Sequence, residues 1–156
     1  MAVDYFLKID GIPGESTDRR HNGEIVVDSF SLGETNSGGS VTGGGGAGKV
    51  SFQDFHFTAK FTKASPKLML ACATGVHIPS AILTGRKAGG FDFLFVKMHD
   101  VLVSSFQTGE SGGTVPEDAV SLAFAKIEVD YKEQKATGSL GATTRFSWDL
   151  RENKAG

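Results

Sequence analysis

Polar and apolar residues alternate along most of this chain with a period of two, the pattern of half-buried β-strands. Over 3–9, Val3, Tyr5, Leu7 and Ile9 share one parity, and Asp4, Phe6 and Lys8 the other. The turn residues Asp10, Gly11, Pro13 and Gly14 end this strand, and 15–23 is polar and reads as a loop. A second strand is expected over 24–32, with Val26, Phe30 and Leu32 on one parity and Ile25, Val27, Ser29 and Ser31 on the other. A third runs over 50–61, where Phe55, Phe57, Ala59 and Phe61 oppose Asp54, His56, Thr58 and Lys60. Phe52 falls on the polar parity, which predicts a bulge near Gln53 and Asp54. Further strands are expected over 79–87, 91–106, 119–132 and 143–150.

Two of these segments, 91–106 and 119–132, are much longer than the usual five or six residues. Over 91–106, Phe93, Leu94, Phe95 and Val96 are apolar on both parities. Over 119–132 the apolar residues change parity, from Val120, Leu122 and Phe124 to Ile127, Val129 and Tyr131. A one-residue switch moves side chains to the opposite face, so either a bulge sits near Ala125 and Lys126 or both faces are covered. Long strands with two apolar faces often give the second face to a partner subunit.

The pattern shifts to a helical one only once. Ser65 suits an N-cap, Pro66 the first helical position and Gly75 a terminator. Leu68/Cys72 and Met69/Ala73 are i,i+4 apolar pairs. A helix of about nine residues is too short to stand alone and must dock on a sheet.

Seven or eight strands, one short helix and no βαβ rhythm point to a mainly β fold. The expected architecture is an antiparallel barrel or two-sheet sandwich with one short α-helix packed outside. No internal repeat or linker divides residues 1–156, so a single domain is expected, with 151–156 a frayed tail.

Between the second and third strands lies a glycine-dominated stretch, 38–49, in which only Val41 and Ala47 carry apolar side chains. Glycine makes up 21 of the 156 residues, about twice its usual share. Gly43-x4-Gly48-Lys49 fits part of a nucleotide-binding loop. That chemistry needs a Ser or Thr next, to hold Mg²⁺, and a helix to receive the phosphates. Here Val50 follows and opens a strand, so the stretch reads as a connecting or contact loop. Gly109 to Gly113 matches G-x-S-x-G, but a strand follows it. All four histidines (21, 56, 77 and 99) precede Ser111, and no two are closer than 21 residues. No metal-ligand spacing or acid/base pairing stands out, and no cofactor or enzymatic activity is expected.

A net charge of −2 and a pI near 6.1 give no reason to expect nucleic-acid binding. The longest apolar run, 68–73, is far short of a membrane span, so no membrane insertion is expected. Asp4 interrupts what would be a signal peptide, and one cysteine, Cys72, allows no intrachain disulfide and reads as an inert buried thiol. The chain is expected to fold in a cytoplasm and, if exported, to leave by another route.

Several stretches taken in order carry a resemblance that covers the chain from first strand to last. They are 2–16 (AVDYFLKIDGIPGES), Ser16-x-Asp18-x-x-His21, 43–61 (GGGGAGKVSFQDFHFTAKF), 65–75 (SPKLMLACATG), 86–90 (RKAGG), 101–113 (VLVSSFQTGESGG) and 146–153 (FSWDLREN). They resemble the haemolysin-coregulated protein (Hcp) family, the inner-tube proteins of bacterial type VI secretion. The resemblance implies an antiparallel two-sheet β-barrel with one helix on its side. It implies homohexameric rings stacked into a hollow tube inside a contractile sheath and tipped by a VgrG-family spike. It further implies effector proteins carried or chaperoned in the lumen, and secretion from the bacterial cytoplasm without a signal peptide. It assigns Gly43, Gly44, Gly45, Gly46, Ala47 and Gly48 to a protruding loop that touches neighbouring subunits or rings. Ser31 matches a lumen-facing position, although an ordinary exposed strand serine fits the alternation equally well. A monomeric β-sandwich module binding a ligand or peptide is the alternative.

Overall fold

The computed structural model describes residues 2–38, 49–87 and 90–156. Strand β1 (Val3–Ile9) forms as its alternation predicts, with Leu7 and Ile9 buried and Asp4 and Lys8 exposed. The predicted strand 24–32 is two strands, β2 (Ile25–Val27) and β3 (Ser29–Ser31). Asp28 separates them and donates its N–H to the Thr58 carbonyl at 2.8 Å. Past it the chain changes partner, because β2 pairs with β1 while β3 pairs with β6 (Phe55–Lys60).

The predicted bulge at Gln53 and Asp54 is likewise a break. Before it, β4 (Glu34–Asn36) and β5 (Val50–Phe52) form a separate two-stranded sheet. After it, β6 joins the main sheet. Phe52 has left the β6 face and lies 6.1 Å from the Phe124 ring, which accounts for its parity.

Helix α1 (Ala64–Thr74) has 11 residues, more than expected, and Ser65 is not its N-cap. Lys63 holds that place without a side-chain bond. Ser65 lies in the first turn, where its Oγ accepts the Thr62 N–H and donates to the Asp118 carboxylate. Gly75 ends the helix as predicted, in the left-handed conformation (φ 67°). Ala64, Leu68 and Ala71 face the core, and Cys72 is half-buried.

Strands β7 (His77–Lys87), β8 (Phe91–Gly109), β9 (Glu117–Ala123), β10 (Lys126–Gln134) and β11 (Leu140–Asp149) complete the fold. The 19-residue length of β8 has a topological cause. Its first half lies between β7 and β10, and its second half pairs with β9. One strand thus serves two walls, β2-β1-β7-β8-β10-β11 and β8-β9-β6-β3. The path begins on β2 and ends on β3, consecutive pieces of one backbone, so the sheet curls back on itself as a barrel. All pairings are antiparallel. The parity switch near Ala125 is the break between β9 and β10, where Ala125 donates to the His99 carbonyl and accepts from the Leu150 N–H.

Phe55, Phe57, Leu7, Leu83, Met98, Leu122 and Ile127 fill the barrel and are almost wholly buried. Residues 151–154, expected to fray, make a turn instead, with mutual backbone bonds between Asp149 and Lys154. Arg151 also pairs with Asp100.

The polar loop 15–23 is tied to the barrel by charge and stacking. Asp18 accepts the N–H groups of Arg20 and His21 and lies 2.6 Å from the Arg86 guanidinium. His21 is buried, stacks on Phe6 at 4.5 Å, and reaches Glu24 and Asp92 with its two ring nitrogens. The Arg86 guanidinium sits 4.9 Å from the Phe6 ring centre.

Candidate functional site

The outer face of the second wall is lined with hydroxyls. Register places Ser31 beside His56, His56 beside Ser121, and Ser121 beside Ser105. One step along, Ser29, Thr58, Ala119 and Gln107 form a parallel row. Together they line a shallow depression of about 310 Å³ that carries no carboxylate, lysine or arginine. His56 Nδ1 lies 2.5 Å from Ser121 Oγ, and Ser29 Oγ lies 2.6 Å from Thr58 Oγ1. Ser31 is exposed on this face. Phe30 turns inward against Tyr5 and Phe55, as the alternation requires. The wall has an open edge at each end among the described residues. β3 pairs only with β6, and β8 beyond Leu102 pairs only with β9.

The inner face of the first wall continues past the barrel core. Along β10, Ile127 is fully buried, Val129 half-buried and Tyr131 42% exposed. These side chains share one face, and exposure rises as the opposite wall falls away. Phe146 is opposite Val129, and Leu94 opposite Tyr131. Phe93 meets Tyr131 edge-on at 6.3 Å. Exposed aromatic area of this kind is unusual on a monomer surface and common in interfaces. Sequence reading found surplus apolar faces but could not say which residues overhang, because overhang depends on where the second wall stops.

The β4–β5 hairpin carries the glycine-rich stretch. Gly43, Gly44, Gly45, Gly46, Ala47 and Gly48 lie outside the described residues. At the base of the stretch, Ser37 N–H donates to the Lys49 carbonyl at 3.4 Å and Lys49 N–H to Ser37 Oγ at 3.2 Å. Val50 begins β5, so the phosphate-loop reading lacks the helix it needs. The residues around Ser111 form a glycine turn between β8 and β9, in which Gly113 N–H donates to the Glu110 carboxylate at 2.9 Å. Among the described residues no cluster of three or more His, Cys, Asp or Glu could hold a metal, and no helix is long and apolar enough to cross a membrane.

A family model described as "Type VI secretion system effector, Hcp" matches residues 6–131. The chain belongs to the Hcp family. It is 47% identical to protein hcp1 of Pseudomonas aeruginosa, over 98% of each chain. Among solved structures it is similar to Hcp1 of Salmonella typhimurium, with 35% identity, complete coverage of both chains and a TM-score of 0.86. A type VI secretion system effector from Yersinia pestis is 31% identical with a TM-score of 0.79, covering 94% of this chain and 99% of that one. The family is one of secreted type VI proteins, and the two-walled β fold with a single short helix is the one these structures share.

Proposed function

We propose that the protein is a structural subunit of the type VI secretion tube, forming hexameric rings that stack into a hollow conduit. The observation that carries this reading is the hydroxyl-lined wall with an open strand edge at each end. Copies added head to tail, β3 of one beside the free half of β8 of the next, would continue the wall. Such heterologous contacts close into a ring when the rotation allows. The neutral polar face, Ser31 included, would then line the lumen, where effector proteins are carried. The overhanging aromatic face supplies the dry contact between subunits. The β4–β5 hairpin would supply a contact to neighbouring subunits or rings. Partners expected for such a subunit are itself, a VgrG-family spike, a contractile sheath and effectors. The protein would be made in the bacterial cytoplasm and leave through type VI secretion.

Size exclusion with light scattering, together with negative-stain microscopy, tests the assembly. Rings viewed end-on and a mass of about six subunits are expected at tens of micromolar. A predominantly monomeric species there overturns the reading and favours a small binding module. Ser31→Gln should keep the rings and weaken effector retention in pull-down. Loss of rings would place Ser31 at a subunit contact instead.

A further inference from the structure

A second concavity, on the outer face of the first wall, is unlike the lumen-facing one. Its volume is about 490 Å³, and Lys8, Lys97, Lys132 and Arg145 converge on it from β1, β8, β10 and β11 around the ring of Phe95. Two carboxylates line it, and both are engaged. Asp130 is buried and accepts Arg145 through two nitrogens, at 2.7 and 3.1 Å, with Lys97 at 3.5 Å. Glu24 is turned to His21. Glu128, on the same strand face, lies 3.9 Å from Lys126. Lys8 and Lys132 have no carboxylate within ion-pair distance among the described residues. The Lys132 ammonium is 5.4 Å and the Lys97 ammonium 6.0 Å from the Phe95 ring centre, so both share one aromatic ring.

Four cations against two lining carboxylates, both already engaged, make a site short of negative charge. Its walls are rigid strands, and Ile82, Thr84 and Phe95 give it a partly apolar floor. Fixed cations over an apolar floor suit extended carboxylate side chains with methylene stems, as in Glu-rich polypeptide. We propose that this concavity is a docking site for an acidic polypeptide segment, with Lys8 and Lys132 as its recognition charges. It stands apart from the tube reading, because it lies on the opposite wall from Ser31.

The test uses the full chain and a fluorescein-labelled hexaglutamate peptide, followed by anisotropy, with the oligomeric state of the same sample measured by light scattering. Saturable binding that weakens steeply between about 50 and 300 mM salt is expected. The double variant Lys8→Glu/Lys132→Glu should raise Kd about tenfold or more. A charge-matched control, Lys63→Glu/Lys67→Glu on α1, should leave Kd within about twofold. Melting curves establish that all three proteins are folded. Equal loss in both variants would mean non-specific attraction and overturn the site. So would no saturable binding, or competition by millimolar inorganic phosphate as effective as the unlabelled peptide. Rings without peptide binding would sink this proposal and leave the tube intact.

Discussion

Asp18 receives three hydrogen bonds in the folded chain, from the Arg86 guanidinium and from the N–H groups of Arg20 and His21. The Arg86 bond, first among these causes, holds its carboxyl well below the usual 3.8. A depressed carboxylate adds stability above its unfolded pKa and loses it as pH falls toward the folded value. Asp18→Asn should therefore melt earlier than the parent at pH 7, by an amount that stays constant down to about pH 5. Below 3.8 the gap should narrow steadily and still be partly open at about pH 2, because the folded carboxyl titrates lower still. A gap as wide at pH 2 as at pH 7 would mean that shape, not charge, is what Asp18 supplies. Melting curves across that range read the outcome. The Ser16-x-Asp18-x-x-His21 motif was visible in the sequence, but its partners were not. Arg86 and Asp92 lie about seventy residues downstream, and only the folded β7–β8 hairpin brings them under the loop.

Strand existence was legible where burial on one face imposes a period of two, as in β1 and β6, whereas β4, exposed at every position, leaves no such signal. Breaks were legible only as parity faults. Phe52 and the shift between Phe124 and Ile127 marked the right places, but the first read as a bulge and the second as either a bulge or a stretch covered on both faces. A bulge and a corner both add one residue to the count, and only the pairing partner distinguishes them. The split at Asp28 was masked: Val26 shares parity with Phe30 but is exposed, and the inward residues switch from Ile25 and Val27 to Phe30 across it. The helix start misled for a different reason. Ser65 has the right chemistry for a cap, yet its hydroxyl serves Asp118, a strand carboxylate that is 2% exposed. Asp118 Oδ1 has no partner, so Ser65 is the side chain that keeps this carboxylate bonded. Ser65→Ala should cost about 2 kcal/mol by leaving it stranded. Replacing both members, Ser65→Ala with Asp118→Leu, should recover most of that loss. Urea denaturation of the two variants decides it, and a double variant worse than the single one would refute this account of the helix–sheet joint.

For the proposed ring the question is which surface would close it. Residues on the overhang of the first wall lose their opposing layer step by step from Ile127 to Tyr131, so their apolar area has no use within one chain. Among the described residues Tyr131 makes one ring contact, with Phe93, outside the barrel core. Tyr131→Glu should therefore keep the parent melting temperature within a few degrees when both are measured as monomers. In a ring the same carboxylate would be buried without a cation, and the cost would recur at every subunit contact. The concentration for half-assembly should rise about tenfold or more. A concentration series by light scattering reads this directly. Unchanged assembly would move the contact off the overhang and onto the strand edges of β3 and β8 alone. Loss of the fold would show instead that Tyr131 belongs to the core. Because the overhang and the polar wall meet only through β8, Tyr131→Glu and Ser31→Gln should act on separate quantities. One sets how many subunits join, and the other what the joined ring retains.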